Sequence, residues 1–419
     1  MKDEEYLSLE SNVRSYCRNF PVIFKSAKDS YLYDKDGKEY IDFLCGAGSL
    51  NYGHNNLQIK QKVIEYLNND GIVHSLDLAT TAKQEFLETF YALILQPRKL
   101  NYKIQFTGPT GTNAVEAALK IARKVTGRKQ IISFTNAFHG VSLGALAVTG
   151  HSYYRKGSEG SLNNVTFMPY DSYLGDKVNT IDYLRRFLED ESSGIDLPAA
   201  IIVETIQGEG GVNVASNKWL QSLYELCNQL KILLIIDDIQ VGCGRTGTFF
   251  SFEESHIIPH VVVLSKSLSG FGLPFAVLLL KPEIDIWKPG EHNGTFRGNN
   301  LAFVSATETL KQFWSIQKFE KEINERAKIL KTALETIIKT HLSNGELRGK
   351  GLILGVDCKK PELAKQITNQ SFQNGLILER CGSNDQVIKF LPPLVTPIDV
   401  IQKAMRIFEK SIPTGLLRL

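Results

Sequence analysis

The chain has 419 residues, 43% hydrophobic and 22% charged, an ordinary globular composition at a length that suits one large and one smaller domain. A net charge of +3 with no dense Lys/Arg cluster argues against a nucleic-acid partner, and no apolar stretch approaches a membrane span. The acidic start "MKDEEYLSLE" lacks a signal-peptide layout and the six scattered cysteines form no CxxC pair, so a cytoplasmic enzyme with reduced thiols is expected.

In chain order, "YLYDKDGKEYIDF" (31–43) reads as two short strands around the turn Asp34–Gly37. From about 58 to 310, helical stretches alternate with aliphatic runs: "KIQF" (103–106), "QIISF" (130–134), "AAIIVE" (199–204), "ILLIID" (232–237), "VVVLS" (261–265) and "FAVLLL" (275–280). Such continuous runs predict a mostly parallel sheet covered by helices on both faces. The spacing then predicts one long amphipathic helix over about 304–340. "GLILGVDC", a charged helix, "GLILER", "VIKFLPPL" and a last helix from about 397 follow. The expected fold class is α/β, with a large domain over 58–315 and a smaller α+β domain over 316–419. Residues 1–57 are expected to join the smaller domain. His139, His256 and His260 form no metal box and no HExxH occurs, so no metal site is expected.

Chemistry concentrates at the carboxyl ends of these runs. "FTGPTGTNAVEAALKIAR" (106–123) passes from a strand through Gly108, Thr110, Gly111 and Thr112 into a helix. Ala114, Ala117, Ala118, Ile121 and Ala122 form one stripe of small residues that permits close packing. Thr110 or Thr112 can cap this helix, whose free N–H groups suit an anion, above all phosphate; an ordinary capped core helix fits equally. "FHG" (138–140) follows "QIISF" and offers an aromatic and an imidazole, residues that at a strand end often only pack. The run Ile232–Ile236 ends on two carboxylates, Asp237 and Asp238, and a buried charge is costly without a partner. Gly242-x-Gly244-x-x-Gly247 matches the dinucleotide fingerprint, but "TGTFFSFEE" opens no helix, which sets that reading aside. Lys266 follows four apolar residues and a serine, and a desolvated lysine can lose its proton and form an imine. Phosphate cradle, aromatic platform, imine-forming lysine and buried carboxylate together describe a site for pyridoxal 5'-phosphate. Asp237 would hold the protonated ring nitrogen and keep the ring an electron sink, while Asp238 would serve the turn.

Over nearly its whole length the chain resembles the class III, fold-type I aminotransferases, the ω-aminotransferase group. The resemblance rests on "ETIQGEGG" (204–211), "DDIQVGCGRTG" (237–247), "LSKSLSGFGLP" (264–274), "GTFRGNN" (294–300) and "FLPPL" (390–394). It implies that Lys266 binds the cofactor as an imine and then shuttles the substrate proton. It further implies Gly111 and Thr112 at the phosphate, Phe138 stacked on the ring and Gln240 near its 3'-oxygen, with His139 and Glu204 among the cofactor-binding residues. Thr295 would reach the phosphate from a neighbouring subunit, giving a homodimer or dimer of dimers with shared active sites. Glu209 matches a gating carboxylate that covers a cationic residue when the amine donor is bound. That cation, an arginine in the family, is Lys389 here, and a lysine cannot grip a carboxylate with two parallel hydrogen bonds. Some relatives hold the donor carboxylate with an arginine after "FHG"; here Val141 stands there, leaving Asn51, Tyr52 or Arg155 as candidates. Residues 12–56, 106–120 and 288–300 carry a closer resemblance, to members that move the terminal amine of 2,4-diaminobutyrate to 2-oxoglutarate. Ornithine, 4-aminobutyrate or another diamine as donor, an aminomutase and a non-catalytic cofactor store are the alternatives.

Overall fold

Seven short runs of aliphatic residues, most of them buried at every position, form the centre of the molecule. A computed structural model describes residues 9–316 and 318–413. The central strands are β1 (Lys103–Phe106), β2 (Ile131–Phe134), β3 (Val165–Met168), β4 (Ala200–Val203), β5 (Leu233–Asp237), β6 (Val261–Leu264) and β7 (Val277–Leu280). Their order in the sheet is β1-β7-β6-β5-β4-β2-β3. The inner pairs are parallel, and β7 runs antiparallel to both β6 and β1. The expected mostly parallel sheet is present, with "FAVLLL" supplying its one reversed strand.

The Gly111–Thr126 helix lies against β5, β6 and β7, and its stripe Ala114, Ala117, Ala118, Ile121 and Ala122 is wholly buried. Small side chains there bring the helix axis close to the sheet, which fixes the height of the helix start.

The hairpin expected at 31–43 is also present. Tyr31–Asp34 and Glu39–Asp42 pair antiparallel around a turn that Asp34 Oδ1 closes, accepting from Asp36 N at 3.0 Å and Lys38 N at 2.9 Å. Phe24–Lys28 adds on one side, and Leu376–Ile377 adds on the other as a parallel partner of Ile41–Asp42. The remaining C-terminal strands, Glu346–Lys350, Ile353–Asp357, Val387–Phe390 and Glu379–Cys381, form a separate antiparallel sheet in that order.

The single helix expected over 304–340 is two helices, Asn300–Trp314 and Lys318–His341. The first packs on the helices Leu57–Asn68 and Thr81–Phe90, the second on Ile398–Lys410 and the antiparallel C-terminal sheet. One straight rod could not satisfy both faces, so the chain turns between them, where Ile316 is exposed. Among the described residues, no helix is long and apolar enough to cross a membrane, and no cluster of His, Cys, Asp and Glu suits a metal ion.

Candidate active site

Parallel strands deliver their carboxyl ends to one edge of the sheet, and ligands of open α/β sheets bind there. A cleft opens at this edge, a concave setting of the kind that takes small molecules. Gly111, Thr112, Phe138, His139, Glu204, Glu209, Asp237, Gln240 and Lys266 all line it. Those nine predicted site residues are thus brought together from β2, β4, β5, β6, the loops that follow them and the helix after β1.

Asp237 closes β5 and is 4% exposed. Its Oδ1 accepts from Ile239 N at 3.1 Å, and its Oδ2 lies 2.7 Å from His139 Nδ1. Burial pulls the His139 pKa down, but the Asp237 hydrogen bond and charge outweigh it and raise the imidazole above its ordinary value. His139 therefore orients the carboxylate. Glu204, just past β4, accepts from Phe138 N at 2.9 Å, which fixes the loop presenting the aromatic ring. Burial, with the Asp237 charge adding to it, pushes the Glu204 carboxyl up to about 8.

Lys266 stands at φ +48°, in the left-handed region that a non-glycine residue occupies only at a cost. Its Nζ donates to the Ala47 carbonyl at 2.8 Å, across the cleft from β6. Burial lowers its pKa, which favours the neutral amine a nucleophile requires. Ala47, absent from the expected site, also accepts from Gln240 Nε2 at 3.1 Å. Its only sequence signal is the small-residue turn "CGAG".

At the helix start Thr110, not Thr112, is the cap, accepting from Asn113 N. Thr112 Oγ1 instead meets Ser142 Oγ at 2.7 Å, and Ser142 donates to Glu116 Oε1 at 2.7 Å. Neither Ser142 nor Glu116 was visible as a site residue from the sequence. A Cβ on Gly140, at φ +120°, would lie 2.6 Å from Thr112 Oγ1, so this approach requires glycine. A Cβ on Gly111 would lie 2.8 Å from Ile239 Cδ1. The helix start, the Phe138 ring, the Asp237 carboxylate and the desolvated Lys266 amine fit the phosphate, ring face, ring nitrogen and aldehyde of pyridoxal 5'-phosphate.

Behind the cleft lies an ionic cluster. Lys389 is 0% exposed, and its Nζ is 2.6 Å from Glu209 Oε1 and 3.0 Å from Glu379 Oε2. Burial disfavours the ammonium, but the two carboxylates outweigh it and hold its pKa well above the ordinary value. The pairing of Glu209 with Lys389 is made through one short hydrogen bond, without the two parallel bonds that an arginine could offer. Gln240 Nε2 donates to the same Glu209 oxygen at 3.0 Å.

Other expected residues are elsewhere. Asn51 and Tyr52 are buried away from the cleft; Asn51 Nδ2 donates to the Cys243 carbonyl at 3.1 Å and its Oδ1 accepts from Arg245. Tyr52 OH accepts from Trp314 Nε1 at 2.9 Å, so both residues serve the interior of the fold. Arg155 Nη1 donates to the Thr149 carbonyl at 3.2 Å and its guanidinium lies over the Phe167 ring. Thr295 is exposed and is not among the residues lining this chain's cleft; its carbonyl lies 2.7 Å from His74 Nε2. Asp238 is as buried as Asp237 but points away from the cleft, where its Oδ2 accepts from Ser251 N at 3.2 Å.

Comparison with known proteins follows the same lines. The family profile described as aminotransferase class-III matches residues 13–412. "Diaminobutyrate--2-oxoglutarate transaminase" of Halalkalibacterium halodurans is 53% identical over 405 residues, covering 96% of this chain and 95% of that protein. The protein of that name from Wolinella succinogenes is 55% identical, covering 96% of this chain and 94% of its own length. Among solved structures, an S-selective transaminase from Arthrobacter sp. with alanine bound has a TM-score of 0.85 at 23% identity, covering 93% of this chain and 92% of its own. The ornithine aminotransferase of Toxoplasma gondii ME49 has a TM-score of 0.81 at 24% identity, covering 98% of this chain and 95% of its own. At those identities the two structures speak for the fold alone.

Proposed function

Since the chain belongs to the class-III aminotransferases, enzymes that use pyridoxal 5'-phosphate, we propose that it moves the terminal amine of L-2,4-diaminobutyrate to 2-oxoglutarate. The products are L-aspartate 4-semialdehyde and L-glutamate. The observation that carries this reading is identity above half, over nearly the full length of both chains, to curated relatives bearing that name.

The cofactor supplies an electron sink for the carbanion left when the substrate loses a proton. The protein's own residues prepare for that. Lys266 would hold the cofactor through its amine and would carry the substrate proton, a task its burial favours. Asp237, oriented by His139, would hold the ring nitrogen and keep its proton. The amide groups at the start of the Gly111–Thr126 helix, with Thr112, would take the phosphate, and Phe138 and Gln240 would hold the ring. Glu209 and Lys389 serve two substrates in turn, the carboxylate facing the cationic donor and the ammonium facing the acceptor's far carboxylate. Thr295 of one subunit would reach the phosphate held by its partner, so the working unit would be at least a dimer.

An amine-donor panel with 2-oxoglutarate tests the reading, following glutamate and the aldehyde product. The specificity constant should be highest for 2,4-diaminobutyrate. One added methylene discriminates by only ~1–3 kcal/mol, so ornithine should show weak activity. A higher constant for ornithine or 4-aminobutyrate would give the enzyme a different donor, and turnover without an external oxo acid would make it a mutase.

A further inference from the structure

Two carboxylates hold one buried ammonium behind the cleft, and they hold it differently. Lys389 donates a directed hydrogen bond to Glu209. Glu379 Oε2 is close enough to neutralise the charge yet makes no directed hydrogen bond among the described residues. Their supports differ as well. Glu379 faces Lys389 directly across an antiparallel strand pair, so backbone register sets its place. Its Oε1 accepts from the Tyr16 hydroxyl at 2.7 Å, which ties it down from the N-terminal segment. Glu209 sits on the loop after β4, lines the cleft, and already shares Gln240 as a second partner on the cleft side.

Resting on the transamination proposed above, one cleft must take a cationic donor and a dianionic acceptor in alternation. For the acceptor's far carboxylate to reach Lys389, Glu209 has to leave it. A buried ammonium stripped of its partner is strongly unfavourable, because nothing replaces the lost hydration. We propose that Glu379 is the standing counter-ion of Lys389, a positioning residue that keeps the ammonium paired and in place while Glu209 yields to the acceptor. The free oxygen of Glu379 receives the ammonium hydrogen that Glu209 releases, and Tyr16 prevents Glu379 from following Glu209 toward the cleft. Glu209 keeps its hydrogen bond to Gln240, so both it and the ammonium retain a polar partner through the exchange.

The test separates the two half-reactions of the holoenzyme by stopped-flow absorbance. E379Q should lower the apparent second-order rate constant for 2-oxoglutarate by about tenfold or more, as expected for a buried charge that loses its partner. The donor half-reaction with 2,4-diaminobutyrate should stay within about twofold, because Glu209 remains on Lys389 throughout it. Pyruvate, which has no far carboxylate, should react with wild type and variant alike. Y16F, at a half-exposed position that threatens no core packing, should show the same acceptor-specific loss at about threefold, since Glu379 keeps its carboxyl group and loses only its anchor. Equal losses in both half-reactions would leave Glu379 a structural role only. Unchanged 2-oxoglutarate kinetics in Y16F and E379Q would remove it from the reaction. Should E379Q fail to fold, Y16F alone decides. Failure of the functional reading itself is seen separately, as wild-type enzyme that does not use 2-oxoglutarate.

Discussion

Asp237 and Asp238 are adjacent, both carboxylates and both buried, yet their surroundings assign them to different work. Asp237 faces the cleft with His139 behind it; Asp238 meets only the Ser251 amide, and its Oδ1 has no hydrogen-bond partner among the described residues. D237N should therefore slow proton abstraction severely in single-turnover experiments, while D238N should leave it near wild type. Equal damage from both would mean that the wrong carboxylate faces the ring. Asp238 has a separate signature in stability. Burial pushes its pKa up to about 7, so the folded chain keeps a proton that the unfolded chain loses near pH 4. Its contribution is intact below the unfolded value and declines as pH rises through that window, by roughly 4 kcal/mol at about 1.4 kcal/mol per unit. D238N removes this slope, so in urea unfolding it should gain on wild type between pH 5 and pH 8. A constant difference across that range would show that Asp238 does not titrate there. Asp237 and Lys266 were legible in the sequence because each interrupts or ends an aliphatic run. Asn51 and Tyr52 misled because a buried polar residue that bonds to backbone looks, in one dimension, like one that bonds to a substrate. The Glu379–Lys389 pair was not legible in the sequence because it depends on the strand register that sets the two residues opposite each other.

Among the elements, the Gly111–Thr126 helix shows how packing sets chemistry. Its alanine stripe lets the helix lie close on β5, β6 and β7, and this height brings Gly111 and Thr112 to the rim of the cleft. Replacing the wholly buried Ala118 by leucine should overpack that contact and cost about 1–3 kcal/mol in urea unfolding. The same change should loosen cofactor binding, because the helix start must move away from the phosphate. Thr110→Ala removes only the cap and should cost about 1 kcal/mol. An A118L protein as stable as wild type would show that the helix has room to spare. The strands were legible because aliphatic runs between turn signals have few other solutions. The break after Trp314 was not, because the apolar period continues through it. Only the two separate packing partners, one on each side of the break, require the turn.

For the molecule as a whole, the exposed turn Thr295–Arg297, with Phe296 65% exposed, carries the proposed subunit contact. A two-fold dimer gives a quantitative test. K266A and T295E homodimers should each be inactive, the second because its new carboxylate repels the phosphate. If the site is shared, a hybrid holds one site with both changes and one with neither. Equal random mixing then restores about a quarter of wild-type activity. If Thr295 served its own chain's site, each hybrid site would carry one change, and no activity would return after confirmed subunit exchange.

The pairing of Leu376–Ile377 with Ile41–Asp42 also dictates a timetable. Ile41 N donates to the Gly375 carbonyl at 2.8 Å and Phe43 N to the Ile377 carbonyl at 3.1 Å. On the ribosome, the sheet built from residues 24–42 therefore keeps an open edge until residues 376–377 have emerged. Open strand edges invite pairing with other chains, so synthesis passes through a long interval of vulnerability that the finished protein conceals. Nascent chains stalled before residue 375 should be cut by added protease within residues 24–42, where the complete protein resists. Equal resistance in the stalled chains would mean that the early strands close without their late partner, and that the interval is short.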